Sequence, residues 1–555
     1  MSSSGATDSV FTDSAKSLRW AVYWLMMAWA ASAITGRIMQ VSSGSRSEPT
    51  PFLSANDRSR WCTVRALVDD GTYAIDHIIF TKDGQRNRAW HTIDLVRHRG
   101  SDGKDHYYSS KPTLLSTMIA GEYYVLKKLT GAEISKKPFF VGQMLLLLTN
   151  VVPLLLAWLC MADLIERYGT TDVGRLFVMA VITAGTFLTT FAITLNNHLP
   201  AALGVIFTIW FAEPIWKGRS HEFWRYAGAG LMAAFTATCE LPALAFLALV
   251  GAGLALTSFP RTLLAFTPAA IAVAAAAVGT NYIAHGTFST PYAYRSDGPS
   301  VARIPLANQV ADLDARKIPA ELQKELPDAF SVETRVAGFR WAISDKSGGT
   351  RWAVVAVPAS GKVPYAALPG LLASDAPITE LEIRQWKYWY DYPGTYWTPN
   401  IERTSVDRGE ESRLTYALHV LIGHHGIFSL SPVWLLSLVG LSVILYHGRG
   451  RDWQANAATV LLFVVVLAFY LSRSQVDRNY GGFCSGLRWM FWFIPIWTLQ
   501  LLPIMDRLAR SKWGISPGIV CLTISVFSAH YANLNPWQHP WLFDYWTYLG
   551  WIDYP

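Results

Sequence analysis

The chain has 555 residues, of which 51% are hydrophobic types and 16% are charged, against the roughly 25% charged residues usual in soluble proteins. The missing charge reflects apolar runs, several of which reach the ~20 residues that cross a bilayer, so disorder, a collagen-like rod and an ordinary cytosolic globule are excluded. The formal charge of +7, from 47 Lys and Arg against 40 Asp and Glu, is not gathered into a basic tract. That favours anionic lipid head groups or phosphates as partners and argues against nucleic acid.

In chain order, residues 1–17 are Ser-rich and read as a disordered cytoplasmic tail. The apolar run Leu18 to Ile34 is longer than a signal-peptide core and lacks a small-residue cleavage site, so it reads as a retained anchor. Residues 36–137 are too charged to span. Within them Pro112 to Leu126 is short for a span and contains Glu122, Tyr123 and Tyr124. It is expected to lie along the membrane surface, with Lys127, Lys128, Lys136 and Lys137 meeting lipid phosphates. Apolar runs follow at 139–162, 176–194, 199–216, 226–239, 242–257 and 262–284, the last pair but one divided at Glu240, Leu241 and Pro242 by a predicted tight hairpin. Residues 285–423 form a second polar region. Four more runs lie at 427–446, 456–472, 489–505 and 514–531, ahead of an aromatic tail, 532–555.

The predicted fold class is therefore an all-α polytopic membrane protein of about 11 spans. Its first outer loop carries juxtamembrane helices, and residues 285–423 form a mixed α/β insertion. Phe339 to Ser344 and Arg351 to Ala356 flank Lys346-Ser347-Gly348-Gly349 as a β-hairpin should. Short loops holding Lys217, Arg219 and Arg225, then Arg449 and Arg451, then Arg507, Arg510 and Lys512, fall on one side, which the positive-inside rule makes cytoplasmic. The polar regions, the Asn196-Asn197-His198 turn, Glu240 and the Arg473 to Arg488 loop are then outside, and a bacterial inner or plasma membrane is the expected location.

Chemistry-bearing residues are densest in the first outer loop: Asn56-Asp57-Arg58-Ser59-Arg60-Trp61, then Asp69-Asp70, then Ser109-Ser110-Lys111-Pro112-Thr113-Leu114. A carboxylate at a membrane surface can take a proton from an acceptor hydroxyl while nearby cations neutralise a departing phosphate. The competing reading is a set of solvated loop charges.

Asp57, Arg60 and Trp61 resemble the Asp-x-x-Arg-Tyr segment in the first periplasmic loop of GT-C glycosyltransferases, above all the aminoarabinose and protein O-mannosyl transferases. Lys111-Pro112-Thr113-Leu114 is similar to the Lys-Pro-Pro-Leu that follows it there, and the spans up to about 284 resemble the transmembrane module of that class. The resemblance implies inverting transfer of a hexosyl or pentosyl group from a polyprenyl-phosphate donor to a glycan, lipid or protein hydroxyl. Asp57 would then be the base or an acceptor-orienting carboxylate, with Lys111 on the donor phosphate and Arg60 supporting either the carboxylate or the phosphate; Arg488, in a basic loop, is a further candidate for the phosphate. Asn197, His198, Glu240, Asp69 and Asp70 are candidate acceptor or supporting groups. The chain departs from the pattern at Ser110, where relatives often carry an acid, and in a polar insertion around 76–105. Asp69, Asp70, Asp94 and Asp105 are the acids available to substitute, and the sequence does not choose among them. A divalent metal is compatible with the resemblance, but no ligand motif supports one.

Elsewhere, Asn197 and His198 suit a polar helix start as well as a site. Glu240 is an ionisable group at membrane depth, which is expensive and often faces a cavity. Trp386 to Trp397 form an aromatic cluster suited to sugar faces or to an interfacial belt. The adjacent His424 and His425 point apart and are not expected to bind metal alone. Arg473, Arg478 and Arg488, with Gly481-Gly482, form a basic outer loop. The five cysteines are scattered without a CxxC pair. Rival readings are a catalytically silent lipid- or glycan-binding protein, which Ser110 favours, and a transporter, which the broken helix at Glu240 favours.

Overall fold

The computed structural model describes residues 4–43, 48–295, 298–310, 330–333, 340–345, 351–358, 378–387, 389–397, 403–511 and 513–554. The first helix spans Ser4–Gln40. Residues 4–17 are thus helical rather than a disordered tail: once the apolar segment forms its turns, adding further residues costs little.

Among the described residues, five helices are long and apolar enough to cross a membrane: Pro138–Tyr168, Asp172–Phe191, His198–Trp216, Phe259–His285 and Gly450–Leu471. Leu241–Thr257 and Val433–His447 are shorter apolar helices. The expected count of about 11 is not confirmed among the described residues, where prolines cut several runs into shorter helices. Pro432 separates Ile427–Leu430 from Val433–His447. The run at 489–505 is a 3₁₀ turn, Arg488–Phe493, followed by Ile494–Gln500 and Leu502–Leu508, each with proline in its first turn. At Glu240 the chain turns between Phe223–Cys239 and the 3₁₀ turn Leu241–Ala243, as the proline predicts.

One end of the helix bundle is tied by ion pairs. Arg19 meets Glu166 at 2.8 Å and Asp172 at 2.7 Å, and Arg167 meets Glu213 at 2.8 Å. Asp506 accepts from the amides of Thr170 and Thr171 at 2.7 and 2.9 Å. Residues 19 and 40 of the first helix are roughly 30 Å apart along its axis at 1.5 Å per residue, so the loop after it lies at the other end.

There, Ser54 caps the helix Ala55–Asp69 by accepting from the Asp57 amide. Most of this polar helix is buried, with Trp61 against Phe52, ring centroids 5.1 Å apart. Strands β1 (Leu95–Arg99) and β2 (Asp105–Ser109) pair antiparallel, from Arg99 opposite Asp105 to Leu95 opposite Ser109. Gly103, at φ +78°, supplies the left-handed residue of their turn. The helix Thr113–Thr130 follows Pro112 and ends at Gly131, φ +68°. Of its expected lipid-facing lysines, Lys127 instead meets Asp69 at 2.8 Å. Lys136 pairs with Glu133 at 2.8 Å, and Lys128 lies over the Tyr124 ring.

The insertion contains an antiparallel sheet ordered β3-β7-β6-β5-β4, from Ser300–Val310 (β3), Phe330–Glu333 (β4), Arg340–Asp345 (β5), Arg351–Pro358 (β6) and Ile378–Gln385 (β7). β5 and β6 pair from Arg340 opposite Val355 to Ser344 opposite Arg351, the predicted hairpin. Its turn, 346–349, and Phe339 lie outside the described residues. The aromatic segment after β7 roofs the polar region that follows the first helix. The Arg97 amide donates to Trp389 O at 2.8 Å, Trp397 Nε1 donates to Ile93 O at 2.8 Å, and Trp389 stacks on Tyr294 at 3.8 Å.

Candidate functional site

Between this roof and the ends of the apolar helices lies a cavity of about 1390 Å³. Ala234, Ala237, Leu241, Leu244, Ala274, Ala277, Val278 and Phe469 make one wall apolar. The remainder is polar and cationic: eight Arg and Lys side chains line it against four carboxylates, Asp94, Glu240, Asp407 and Asp477.

The floor is one hydrogen-bonded chain. Asn196 Oδ1 accepts from the His198 and Leu199 amides, both at 2.9 Å, so Asn196 satisfies the helix start and leaves the Asn197 and His198 side chains for the cavity. Arg60 donates to Asn197 Oδ1 at 2.6 Å, and Asn197 Nδ2 donates to Glu240 Oε1 at 2.7 Å. The same carboxylate oxygen takes a short bond from His198 Nδ1. Arg488 donates to His198 Nε2 at 3.0 Å, which assigns the neutral tautomer carrying its proton on Nδ1. Arg488 is held further by Gly481 O, at 2.6 and 3.0 Å, and lies over the Trp537 ring at 4.9 Å. Trp537 in turn donates to Thr194 Oγ1 at 3.3 Å, and Pro536 O accepts from the Ser485 amide at 3.0 Å. Among the described residues, neither Arg60 nor Arg488 has a carboxylate within ion-pair distance; both end on neutral groups.

Lys111 faces the same cavity and pairs with Asp94 at 2.9 Å. The β1–β2 register produces this pair. Leu95 stands opposite Ser109, so Asp94 comes opposite Ser110, whose amide donates to Asp94 O at 3.1 Å. Of the four acids that the sequence could not rank, Asp94, within the polar insertion around 76–105, is the one that meets Lys111.

Asp57 is placed differently from its predicted role. Its side chain is fully buried and does not line the cavity; Oδ2 accepts from the Leu53 amide at 2.9 Å and Oδ1 from the Leu195 amide at 3.3 Å. Burial pushes its pKa from 3.8 up to about 6, partly countered by the Leu53 amide. It joins the helix Ala55–Asp69 to the turn before His198–Trp216. Asp69 is occupied by Lys127 and Tyr123, and Asp70 by His77 at 2.8 Å; neither reaches the cavity. His424 and His425 are buried behind the 473–488 loop, where His425 stacks on Tyr480. Arg478 holds the carbonyls of Glu410 and Glu411 at 2.7 and 2.6 Å, a structural tie. The structure therefore gathers Arg60, Lys111, Asn197, His198, Glu240 and Arg488 in one cavity and leaves Asp57, Asp69 and Asp70 out of it. Among the described residues no group of three or more His, Cys, Asp and Glu has metal-holding geometry.

No protein-family model matches the chain, and neither does any curated protein. Solved structures similar to it include the apo oligosaccharyltransferase of Archaeoglobus fulgidus, with 10% identity, TM-score 0.42, and coverage of 95% of this chain and 57% of that one. The protein O-mannosyltransferase Pmt1–Pmt2 complex of S. cerevisiae bound to the sugar donor gives 10% identity and TM-score 0.42 over 96% and 92% of the two chains. The A. fulgidus oligosaccharyltransferase AglB with an inhibitory peptide and a dolichol-phosphate gives 10% identity and TM-score 0.40 over 93% and 56%. These neighbours are GT-C glycosyltransferases, and the chain spans little more than half the length of the archaeal ones. At such identity and TM-scores the likeness assigns no residue a role; the cavity has to carry that argument.

Proposed function

We propose that this chain is an integral-membrane glycosyltransferase that moves a sugar, with inversion, from a polyprenyl-phosphate donor to an acceptor hydroxyl on the extracytoplasmic face. The observation that carries the reading is the pair of inward-facing guanidinium groups, Arg60 and Arg488, held on neutral partners at the floor of a large cavity with an apolar wall. A buried cation without a counter-charge is costly, and a phosphate supplies the missing one in a geometry that guanidinium matches. Fixed donors aimed at the leaving oxygen need no reorganisation as negative charge grows there. The apolar wall suits a polyprenyl tail entering from the bilayer, and Lys111, steadied by Asp94, lies where it can meet the phosphate or the sugar. In this reading the large loops face outward and the N-terminus is cytoplasmic.

The test uses purified full-length protein in lipid nanodiscs with polyprenyl monophosphate, the sugar-independent part of the donor, as the binding probe. Saturable binding lost in Arg60→Ala and Arg488→Ala, together with transfer from membrane-extracted lipid-linked sugars, supports the proposal. Binding without turnover identifies a silent lipid-binding protein, and absence of binding rejects the donor class.

A further inference from the structure

The cavity holds a second carboxylate in a setting unlike that of Asp94. Asp407 lies in the turn Ser405–Arg408, where its Oδ2 accepts from the Tyr396 hydroxyl at 2.7 Å and its Oδ1 lies 3.4 Å from Asn479 Nδ2. Among the described residues it has no ion pair, whereas Asp94 is engaged by Lys111. Among the same residues, two non-glycine residues have positive φ: Ser405 at 54°, two before Asp407, and Tyr480 at 59°, next to Asn479. Gly481 and Gly482 continue the left-handed stretch, and a Cβ on Gly482 would lie 3.3 Å from Asp407 Oδ1. Strained backbone of this kind persists where the surroundings over-determine it, and here it aims two facing loops at one carboxylate.

We infer that Asp407 is the general base that removes the acceptor hydroxyl's proton, held in place by Tyr396 and Asn479. The inference rests on the glycosyl-transfer reading above. In the step, the acceptor oxygen bonds to the sugar's anomeric carbon as the bond from that carbon to the phosphate oxygen breaks. The acceptor proton goes to Asp407, and the polyprenyl phosphate leaves as the dianion toward Arg60 and Arg488. Asp94 is a poorer base because protonating it would leave the Lys111 ammonium buried without its partner. Asp57 has no access to the cavity. The charged and titratable groups facing Asp407 are Tyr396 and Arg403 from its own segment, Asp94 from the first outer loop and Arg488 from the 473–488 loop. Burial raises its pKa above the usual carboxylate range, and the Tyr396 hydrogen bond opposes that rise.

The experiment compares full-length Asp407→Asn and Tyr396→Phe in nanodiscs with the parent chain. Polyprenyl monophosphate binding reads the donor seat, and transfer from radiolabelled lipid-linked sugars to acceptors of the same membranes reads turnover across pH. The expected result is that Asp407→Asn binds the phosphate within twofold of the parent but loses at least tenfold in transfer. Tyr396→Phe shifts the acid limb of the rate profile to higher pH, since a carboxylate without that hydrogen bond holds its proton longer. A smaller loss in Asp407→Asn, or an unmoved acid limb in Tyr396→Phe, overturns the assignment. Should Asp407→Asn fail to fold, the Tyr396→Phe profile alone decides. A parent chain that does not bind polyprenyl monophosphate rejects the donor reading instead, a separate and recognisable outcome.

Discussion

The two ends of the helix bundle handle buried charge in opposite ways. At the end near Arg19, guanidinium groups terminate on carboxylates: Arg19 on Glu166 and Asp172, Arg167 on Glu213. At the cavity end, Arg60 and Arg488 terminate on Asn197 and His198, with Glu240 shared between those two neutral groups. The first arrangement is complete in the folded chain and ties helices together. The second leaves positive potential directed into open volume, where an anion can use it.

The contrast breaks if substitutions at the two ends behave alike. Arg488→Ala and Arg60→Ala should each weaken polyprenyl monophosphate binding about 100-fold, the loss of charge-assisted hydrogen bonds of ~1.5–3 kcal/mol, with little change in thermal unfolding. Arg167→Ala should do the reverse, costing about 2 kcal/mol of stability while leaving phosphate affinity intact. Titration of the bound lipid phosphate and unfolding of each variant in the same nanodiscs separate the two.

Asp57 sharpens the comparison because it belongs to neither arrangement: a buried carboxylate hydrogen-bonded by the Leu53 and Leu195 amides and by the side chains of Thr194 and Trp61. Its pKa is raised on folding, so its contribution is favourable below about pH 4 and is lost as pH climbs through about 6. Relative to Asp57→Asn, the parent chain should therefore lose about 2 kcal/mol of stability between pH 4.5 and 7, seen in paired unfolding curves. A pH-independent difference would mean the carboxylate is solvated.

The smallest expected effect tests the hairpin. Asp94→Asn should lower transfer about tenfold by leaving Lys111 unpaired, a charge-assisted bond of ~1.5 kcal/mol, and adding Ser110→Asp should restore part of it, because position 110 faces position 94 across the strands. No recovery in the double variant would show that Lys111 takes its partner from elsewhere.

Much of the cavity was legible in the sequence. Arg60, Lys111, Asn197, His198, Glu240 and Arg488 were all named there, since cations and amides at the ends of apolar runs have few other uses. The base was not legible. The Asp-x-x-Arg spacing puts Asp57 beside Arg60 on one helix face, but the short Asp57 side chain ends on the Leu53 and Leu195 amides while the longer Arg60 reaches the cavity, which spacing alone does not reveal. Asp94 was one of four acids the sequence could not rank. The signal that selects it is the alternation through Leu95 to Arg99 and Asp105 to Ser109 about Gly103, a hairpin whose register turns distance along the chain into contact. Asp407 had no signal, since its position depends on backbone at Ser405 that composition does not announce. Hydropathy also does not register where Pro432, Pro495 and Pro503 divide an apolar run into shorter helices.

The stacking of Trp537 beneath Arg488 carries an implication for shortened chains. The indole follows the helix Ser516–Tyr531, and so comes after each of the five membrane-length helices among the described residues. A chain that stops short of it has those helices but leaves Arg488 without the ring that steadies it, an unfinished floor. Ending the chain after Tyr531 should thus keep the membrane-length helices and weaken polyprenyl monophosphate binding.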